Sequence, residues 1–211
     1  MTSAPSNPRQ FTILEGTAAP LMRENIDTDV IIRINRLVGS DQKNLGPWAF
    51  EAMRYRPDGS ENPEFVFNQP RYRGASILLG GRNFGCGSSR EGAVSAIHGM
   101  GVRCVIAPSF GDIFFGNCFQ NGVLPIVLPQ KEVDRLAEEA RASMAGTTFV
   151  VDLEAREIRT PGQRVVPFNV DPIRREALLL GLDPIAATRQ YDANFAAFQA
   201  RDKQERPWVY L

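Results

Sequence analysis

Residues 76 to 94 run Ser-Ile-Leu-Leu-Gly-Gly-Arg-Asn-Phe-Gly-Cys-Gly-Ser-Ser-Arg-Glu-Gly-Ala-Val, an order suited to a strand, then a tight loop, then a helix. Ile77, Leu78 and Leu79 make a short apolar run fit for a buried strand. The glycines at 80, 81, 85 and 87 admit a sharp turn and a close backbone approach. Ser88 or Ser89 can cap the helix that follows, whose apolar side comes from Ala93, Val94, Ile97 and Met100 at spacings of three and four. Unpaired N–H groups at such a helix start, with the helix dipole, favour an anion, and Arg90 in the first turn adds a guanidinium suited to a carboxylate or phosphate. From the residues alone the loop is either a capped turn or an anion site, and either serine can be the cap.

Several familiar chemistries do not fit this loop. The glycine spacing is not that of a dinucleotide fingerprint, and no Gly-Lys-Ser or Gly-Lys-Thr follows to make a Walker-type phosphate loop. A Ser-His-Asp hydrolase needs a histidine brought to the serine, and the sole histidine, His98, lies on the loop's own helix. With one histidine and the three widely spaced cysteines Cys86, Cys104 and Cys118, the chain offers neither a metal-ligand set nor a disulfide framework. Cys104 and Cys118 read as buried free thiols, and Cys86 lies in the glycine loop.

Strand and helix alternate from Ile77 onward: strand 76–79, helix 89–99, strand 102–107, helix 110–120 and strand 123–128. Such alternation predicts α/β layering around a sheet. Residues 11–21 alternate as one strand, and 33–74 are rich in arginine and loop-forming residues, with two helical turns at Pro47 to Met53. An amphipathic helix is expected over 132–144, with Val133, Leu136, Ala140 and Met144 on its buried side. Short strands at 147–153, 156–159 and 164–168 follow. Asp171-Pro172 and Asp183-Pro184 each pair a capping carboxylate with a proline at the first helical position, predicting helices over 172–181 and 184–200 and then a polar tail.

The length of 211 residues is enough for one domain, residues 11–211, with a C-terminal helical extension, behind a disordered N-terminal tail at 1–10 that carries Pro5 and Pro8. The 24 basic and 24 acidic residues cancel, so charge gives no reason to expect nucleic acid or a membrane surface as partner. No apolar stretch approaches the length of a membrane span, and a cytoplasmic location is the expectation.

The string Asn83-Phe-Gly-Cys-Gly-Ser-Ser-Arg-Glu resembles the signature of the small subunits of 3-isopropylmalate dehydratases, which are similar to the mobile C-terminal domain of aconitases. Asn25-Ile-Asp-Thr-Asp-Val-Ile-Ile, Val105-Ile-Ala-Pro-Ser-Phe-Gly-Asp-Ile-Phe-Phe-Gly-Asn, Leu124-Pro-Ile and Val151-Asp-Leu-Glu-Ala resemble that family too, in its order and at its spacing. The resemblance runs from about Phe11 to about Ala197. It implies a swivelling β/β/α domain with C-terminal helices, and a hydro-lyase that isomerises 2- and 3-isopropylmalate in leucine biosynthesis by removing and re-adding water. It also implies a large subunit that carries a 4Fe-4S cluster, with no cofactor bound by this chain.

By the same resemblance Ser88 is the catalytic base, Asp29 belongs to the active site, and Arg90, with Ser89, binds a substrate carboxylate. The segment from Arg33 to Gly39 reads the substrate's variable group, with Val38 at the position that is apolar in isopropylmalate enzymes and arginine in homoaconitase-like relatives. Three positions depart from the family pattern. Gly92 stands where many members have histidine, Arg33 where proline is usual, and Arg36 where an aromatic is usual, which makes Arg36 a further candidate substrate contact. These departures leave one alternative, a paralogous dehydratase for another malate derivative, of dimethylmalate, citramalate or homoaconitate type; the helix N-terminus leaves another, an anion-binding module without chemistry.

Overall fold

The computed structural model describes residues 9–38, 44–144 and 146–210. Its centre is a parallel sheet of β2 (Ala18–Leu21), β3 (Ile77–Gly80), β4 (Cys104–Ala107) and β5 (Leu124–Val127), in that spatial order. These strands are almost wholly apolar because both faces are covered. Leu78 and Val105 face helices α3 (Glu91–Gly99) and α4 (Asp112–Gln120), meeting Val94, Ile97, Phe114 and Cys118. Ile77, Leu79, Cys104 and Ile106 face the opposite way, onto Val133, Leu136 and Ala140 of α5 (Gln130–Ala142). The same layer takes Phe149, Val151, Ile158 and Val166 from a second, antiparallel sheet, ordered β1 (Ile13–Gly16), β6 (Phe149–Asp152), β7 (Glu157–Arg159), β8 (Val165–Pro167). Helices, parallel sheet and antiparallel sheet thus form the mixed α/β layering that the alternation predicts.

The segment read as one strand over 11–21 is two, β1 and β2, belonging to different sheets. Alternation of side chains cannot reveal the break at Thr17, because it persists when a chain leaves one sheet for another. The two turns expected from Pro47 to Met53 become a 3-10 turn at Gly46–Trp48 and a short α2 at Glu51–Arg54, separated by Phe50 with φ 55°. Helix α5 begins two residues earlier than expected and stops at Ala142, so Met144 lies outside it and is 81% exposed.

Asp171 and Asp183 cap their helices as the Asp-Pro pairs predict, accepting from Ile173, Arg174 and Ala186 N–H groups. The last expected helix is two, α7 (Pro184–Arg189) and α8 (Asp192–Glu205), and the expected polar tail folds as a 3-10 turn, Pro207–Tyr210. That turn is tied back by Asp202, which accepts from the Tyr210 hydroxyl at 2.8 Å and from Arg206 at 2.7 Å. Of the N-terminal tail expected over residues 1–10, residues 1–8 lie outside the described residues. Arg9 pairs with Asp183, and the Gln10 amide donates to the Leu179 carbonyl of α6 (Pro172–Leu180). Among the described residues, no helix is long and apolar enough to cross a membrane.

His98, in the last turn of α3, is about half buried, and that burial, with the Arg103 charge second, lowers its pKa. The unfolded chain therefore takes up the imidazole proton at higher pH than the folded chain does. Stability is full above the ordinary histidine value of about 6.5 and falls as pH drops from there toward the lower folded value. His98→Gln should remove this contribution. The difference in melting temperature between variant and parent should grow in the variant's favour from pH 7.5 to pH 5.5, as thermal unfolding of the purified chains at several pH values would measure.

Candidate active site

Three chain segments leave the C-terminal ends of β2, β3 and β4 and meet above the sheet edge, where parallel α/β sheets commonly place their ligands. Backbone bonds hold them together. Asn25 N–H donates to the Arg82 carbonyl at 2.9 Å, Gly85 N–H to Ile26 at 2.7 Å, and Thr28 N–H to Cys86 at 2.9 Å. On the other side Phe84 N–H donates to Ser109 at 3.0 Å and Gly111 N–H to Phe84 at 2.9 Å. The Asn83 side chain adds a bond to Asn25, and the Ser109 hydroxyl accepts from Asn83 N–H. Gly85 is required at its place for two reasons. Its φ is 69°, and a Cβ there would lie 2.2 Å from the Phe114 ring.

Local chemistry then places the side chains. The Asp27 carboxylate accepts from Val30 N–H at 2.7 Å and caps a one-turn helix, α1 (Thr28–Ile31). Thr28 is 2% exposed, and its hydroxyl donates to the Ser88 carbonyl at 2.8 Å, across 60 residues of sequence. Asp29, in the same turn, forms an ion pair with Arg90. The Arg90 side chain is only 15% exposed whereas that of Asp29 is 53% exposed, so the carboxylate holds the guanidinium at the rim of the protein. Ser88 and Ser89 are both exposed.

Helix α3 starts at Glu91, two residues later than expected, with Arg90 at the capping position and no side chain capping it. Neither serine is the cap, because the extended backbone at Arg90 separates them from the first turn. Ala93 N–H donates to the Arg90 carbonyl at 3.1 Å, and the Glu91 and Gly92 N–H groups are left for solvent or for a bound anion. His98 belongs to the far end of the same helix. Ten residues separate it from Ser88, and the seven from Glu91 alone span roughly 10 Å of helix.

The structure thus brings together Asp29, Ser88, Ser89 and Arg90. Arg36 is placed differently. Its guanidinium bonds Glu51 at 2.5 and 3.2 Å and lies 3.7 Å above the Trp48 ring, and this pairing holds the Glu51 carboxyl below its usual range. Val38 is 75% exposed. Leu37 lies against Gly92 in the first turn of α3, which brings the Arg33 to Val38 segment beside the serine–arginine loop. Thr28 is not singled out by the sequence, since nothing in Asn-Ile-Asp-Thr-Asp announces a bond to residue 88. Two large grooves are present, the second beside the Arg36, Glu51 and Trp48 cluster. One, of about 630 Å³, is lined by Met22, Met53, Phe65, Arg71, Tyr72 and Arg141, and the other, of about 610 Å³, by Arg33, Trp48, Glu51, Tyr55 and Arg56.

Among the described residues no group of three or more His, Cys, Asp or Glu side chains could hold a metal ion. Cys104 and Cys118 are buried and burial pushes both thiols up, which suits packing and not ligation; Cys86 is half-buried in the loop. Among the described residues two of the three cysteines lie in the core, and the three do not form the clustered thiolate set an iron–sulfur cluster takes.

The family described as "Aconitase C-terminal domain" matches residues 8–131, which hold the whole loop assembly, and a second, LeuD_N, matches residues 134–172. The 3-isopropylmalate dehydratase small subunit of Parvibaculum lavamentivorans is 50% identical over 200 residues, covering 95% of this chain and 99% of that one. Its counterpart in Rhodospirillum centenum is 49% identical, with 95% and 98% covered. Among solved structures, 3-isopropylmalate dehydratase (LeuD) from Methanocaldococcus jannaschii superposes with a TM-score of 0.64 at 26% identity, covering 88% of this chain and 98% of that one. With identity near one half along almost the full length of both chains, and with the glycine loop inside the matched domain, this chain belongs to the family of 3-isopropylmalate dehydratase small subunits.

Proposed function

We propose that this chain is the small subunit of a two-chain hydro-lyase that interconverts 2- and 3-isopropylmalate by dehydration and rehydration. Relatives near 50% identity carry the name of that enzyme's small subunit, and a small subunit implies a large one as partner. The observation that supports a working site on this chain is the exposed Ser88 at an uncapped helix start, next to an Arg90 held by Asp29.

Each residue then has a role that follows from its surroundings. Asp29 occupies one edge of the Arg90 guanidinium and leaves further N–H donors for a substrate carboxylate. That anchor sets the carbon beside the carboxylate against Ser88, whose oxygen, as the alkoxide, takes the proton and so becomes the hydroxyl. A serine oxygen is a weak base unless its anionic form is stabilised, and the free N–H groups of the α3 start and the Arg90 charge do that. Ser89 is a second hydroxyl available to the substrate. Thr28 holds the backbone of the exposed Ser88 through its carbonyl. Departure of hydroxide calls for a Lewis acid, which in this family is a 4Fe-4S cluster on the large subunit.

The exposure of Ser88 and Ser89 fits the same division of labour. A proton abstraction needs a site closed to bulk water, and the wall opposite these serines would come from the partner. Val38 supports an alkyl-bearing substrate, because an exposed carboxylate would lose its hydration against it without gaining a partner. The engagement of Arg36 by Glu51 supports the same choice, as it ties up one cation of this segment that could otherwise meet an additional acid group.

The deciding experiment assays the chain, co-expressed with its large subunit, on a panel of malate derivatives. 2- and 3-isopropylmalate should be the preferred substrates, and faster turnover of homoaconitate would overturn the reading. Ser88→Ala should lower kcat by about 100- to 10,000-fold, the usual range for a positioned proton-transfer group, while co-elution with the large subunit is unchanged. Arg90→Lys should raise KM by roughly tenfold or more, because an ammonium cannot keep Asp29 and grip a carboxylate with two parallel bonds. Val38→Arg should shift preference from alkylmalates toward tricarboxylates, read as the ratio of kcat/KM for the two substrate classes.

A further inference from the structure

We infer that Gly92 is a positioning residue for the substrate's side group, acting through Leu37. The segment from Arg33 to Val38 passes the serine–arginine loop with few anchors. Arg33, Ile34, Asn35 and Val38 are exposed, and Arg36 is turned onto Glu51 and Trp48. Leu37 is the apolar side chain of this run that packs inward, against the core cluster formed with α3. Its Cδ2 lies 2.4 Å from the point where a Cβ on residue 92 would stand, and its Cδ1 lies 3.3 Å from it. Leu37 therefore fills the volume that any side chain at 92 would need. The absence of one lets the segment settle onto the first turn of α3, two residues past Arg90.

The consequence is geometric. Val38 follows Leu37 directly, so the depth at which Leu37 seats on Gly92 sets the gap between Val38 and the carboxylate anchor at Arg90. That gap is the space left for an alkyl group. A larger residue at 92 would lift Leu37 and carry Val38 with it. This inference rests on the reading above that Val38 meets the alkyl group and Arg90 the carboxylate.

The test uses the co-expressed two-subunit enzyme with malates bearing methyl, isopropyl and isobutyl groups. Gly92→Ala places a Cβ in the Leu37 volume, and it is compatible with the helix, since alanine has the higher helix propensity. It should raise KM for isopropylmalate by about tenfold, the order that one methylene is worth in an apolar pocket, with kcat within about twofold. The preference for isopropyl over methyl should fall by a similar factor. Leu37→Ala, which leaves Gly92 intact, should lower the same preference. In the Leu37→Ala background, adding Gly92→Ala should change nothing further, because the atom it would displace is gone.

An unchanged preference in Gly92→Ala, or an equal added loss in the Leu37→Ala background, would overturn the inference while leaving the proposed function standing. A parent enzyme that does not discriminate among the three alkylmalates would overturn the substrate reading itself, and the inference with it. Should Gly92→Ala fail to co-elute with the large subunit, the single Leu37→Ala variant decides: a retained isopropyl preference there sinks the inference.

Discussion

The candidate site depends on the backbone hydrogen bonds that join the chain leaving β2 to the chain leaving β3. Asn25, Ile26 and Thr28 exchange bonds with Arg82, Gly85 and Cys86, so a loop that would otherwise be free is paired on one side almost like a strand. The link to Ser109 and Gly111 pairs it on the other. A glycine loop between two such neighbours loses its freedom in folding and not in binding, and a ligand does not have to pay for ordering it. The buried Thr28 hydroxyl extends this pairing by one more residue, to the Ser88 carbonyl.

What that pairing achieves is a division between rigid and open parts. Phe84, Phe110 and Phe114 pack beneath the loop, with Phe84 meeting the other two edge-on. Above them, Ser88 and Ser89 stand exposed and the first turn of α3 is uncapped. An uncapped helix start beside a half-satisfied guanidinium costs stability in an isolated chain and is repaired when an anion arrives. In the proposed function these donors stand on a fixed frame, and that frame is the preorganisation electrostatic stabilisation calls for.

The layered fold was legible because both periodicities survive in the sequence. Ile77 to Leu79 and Cys104 to Ala107 are apolar at every position, as strands covered on two faces must be, and the Asp-Pro pairs at 171 and 183 announced their helices through capping chemistry alone. Other features were not legible. The exchange of sheets at Thr17 leaves alternation intact, and the start of α3 depends on an extended Arg90 that serine-rich sequence argues against. The early end of α5 left Met144 outside, although its spacing from Ala140 suits a helix face.

The sequence by itself determined the chemistry on offer: a glycine loop, two serines, an arginine, an aspartate, one histidine and three widely spaced cysteines. Those are matters of residue identity and short-range spacing. Only the tertiary structure decided which groups meet. Asp29 and Arg90 are 61 residues apart and Thr28 and Ser88 are 60 apart, and no local propensity carries information over such distances. Sheet topology does, by setting β2 parallel to β3 so that both loops leave the same edge. Arg36 shows the same limit from the other side: its charge was readable, but its partner Glu51 and its platform Trp48 come from a later segment that only packing brings beside it.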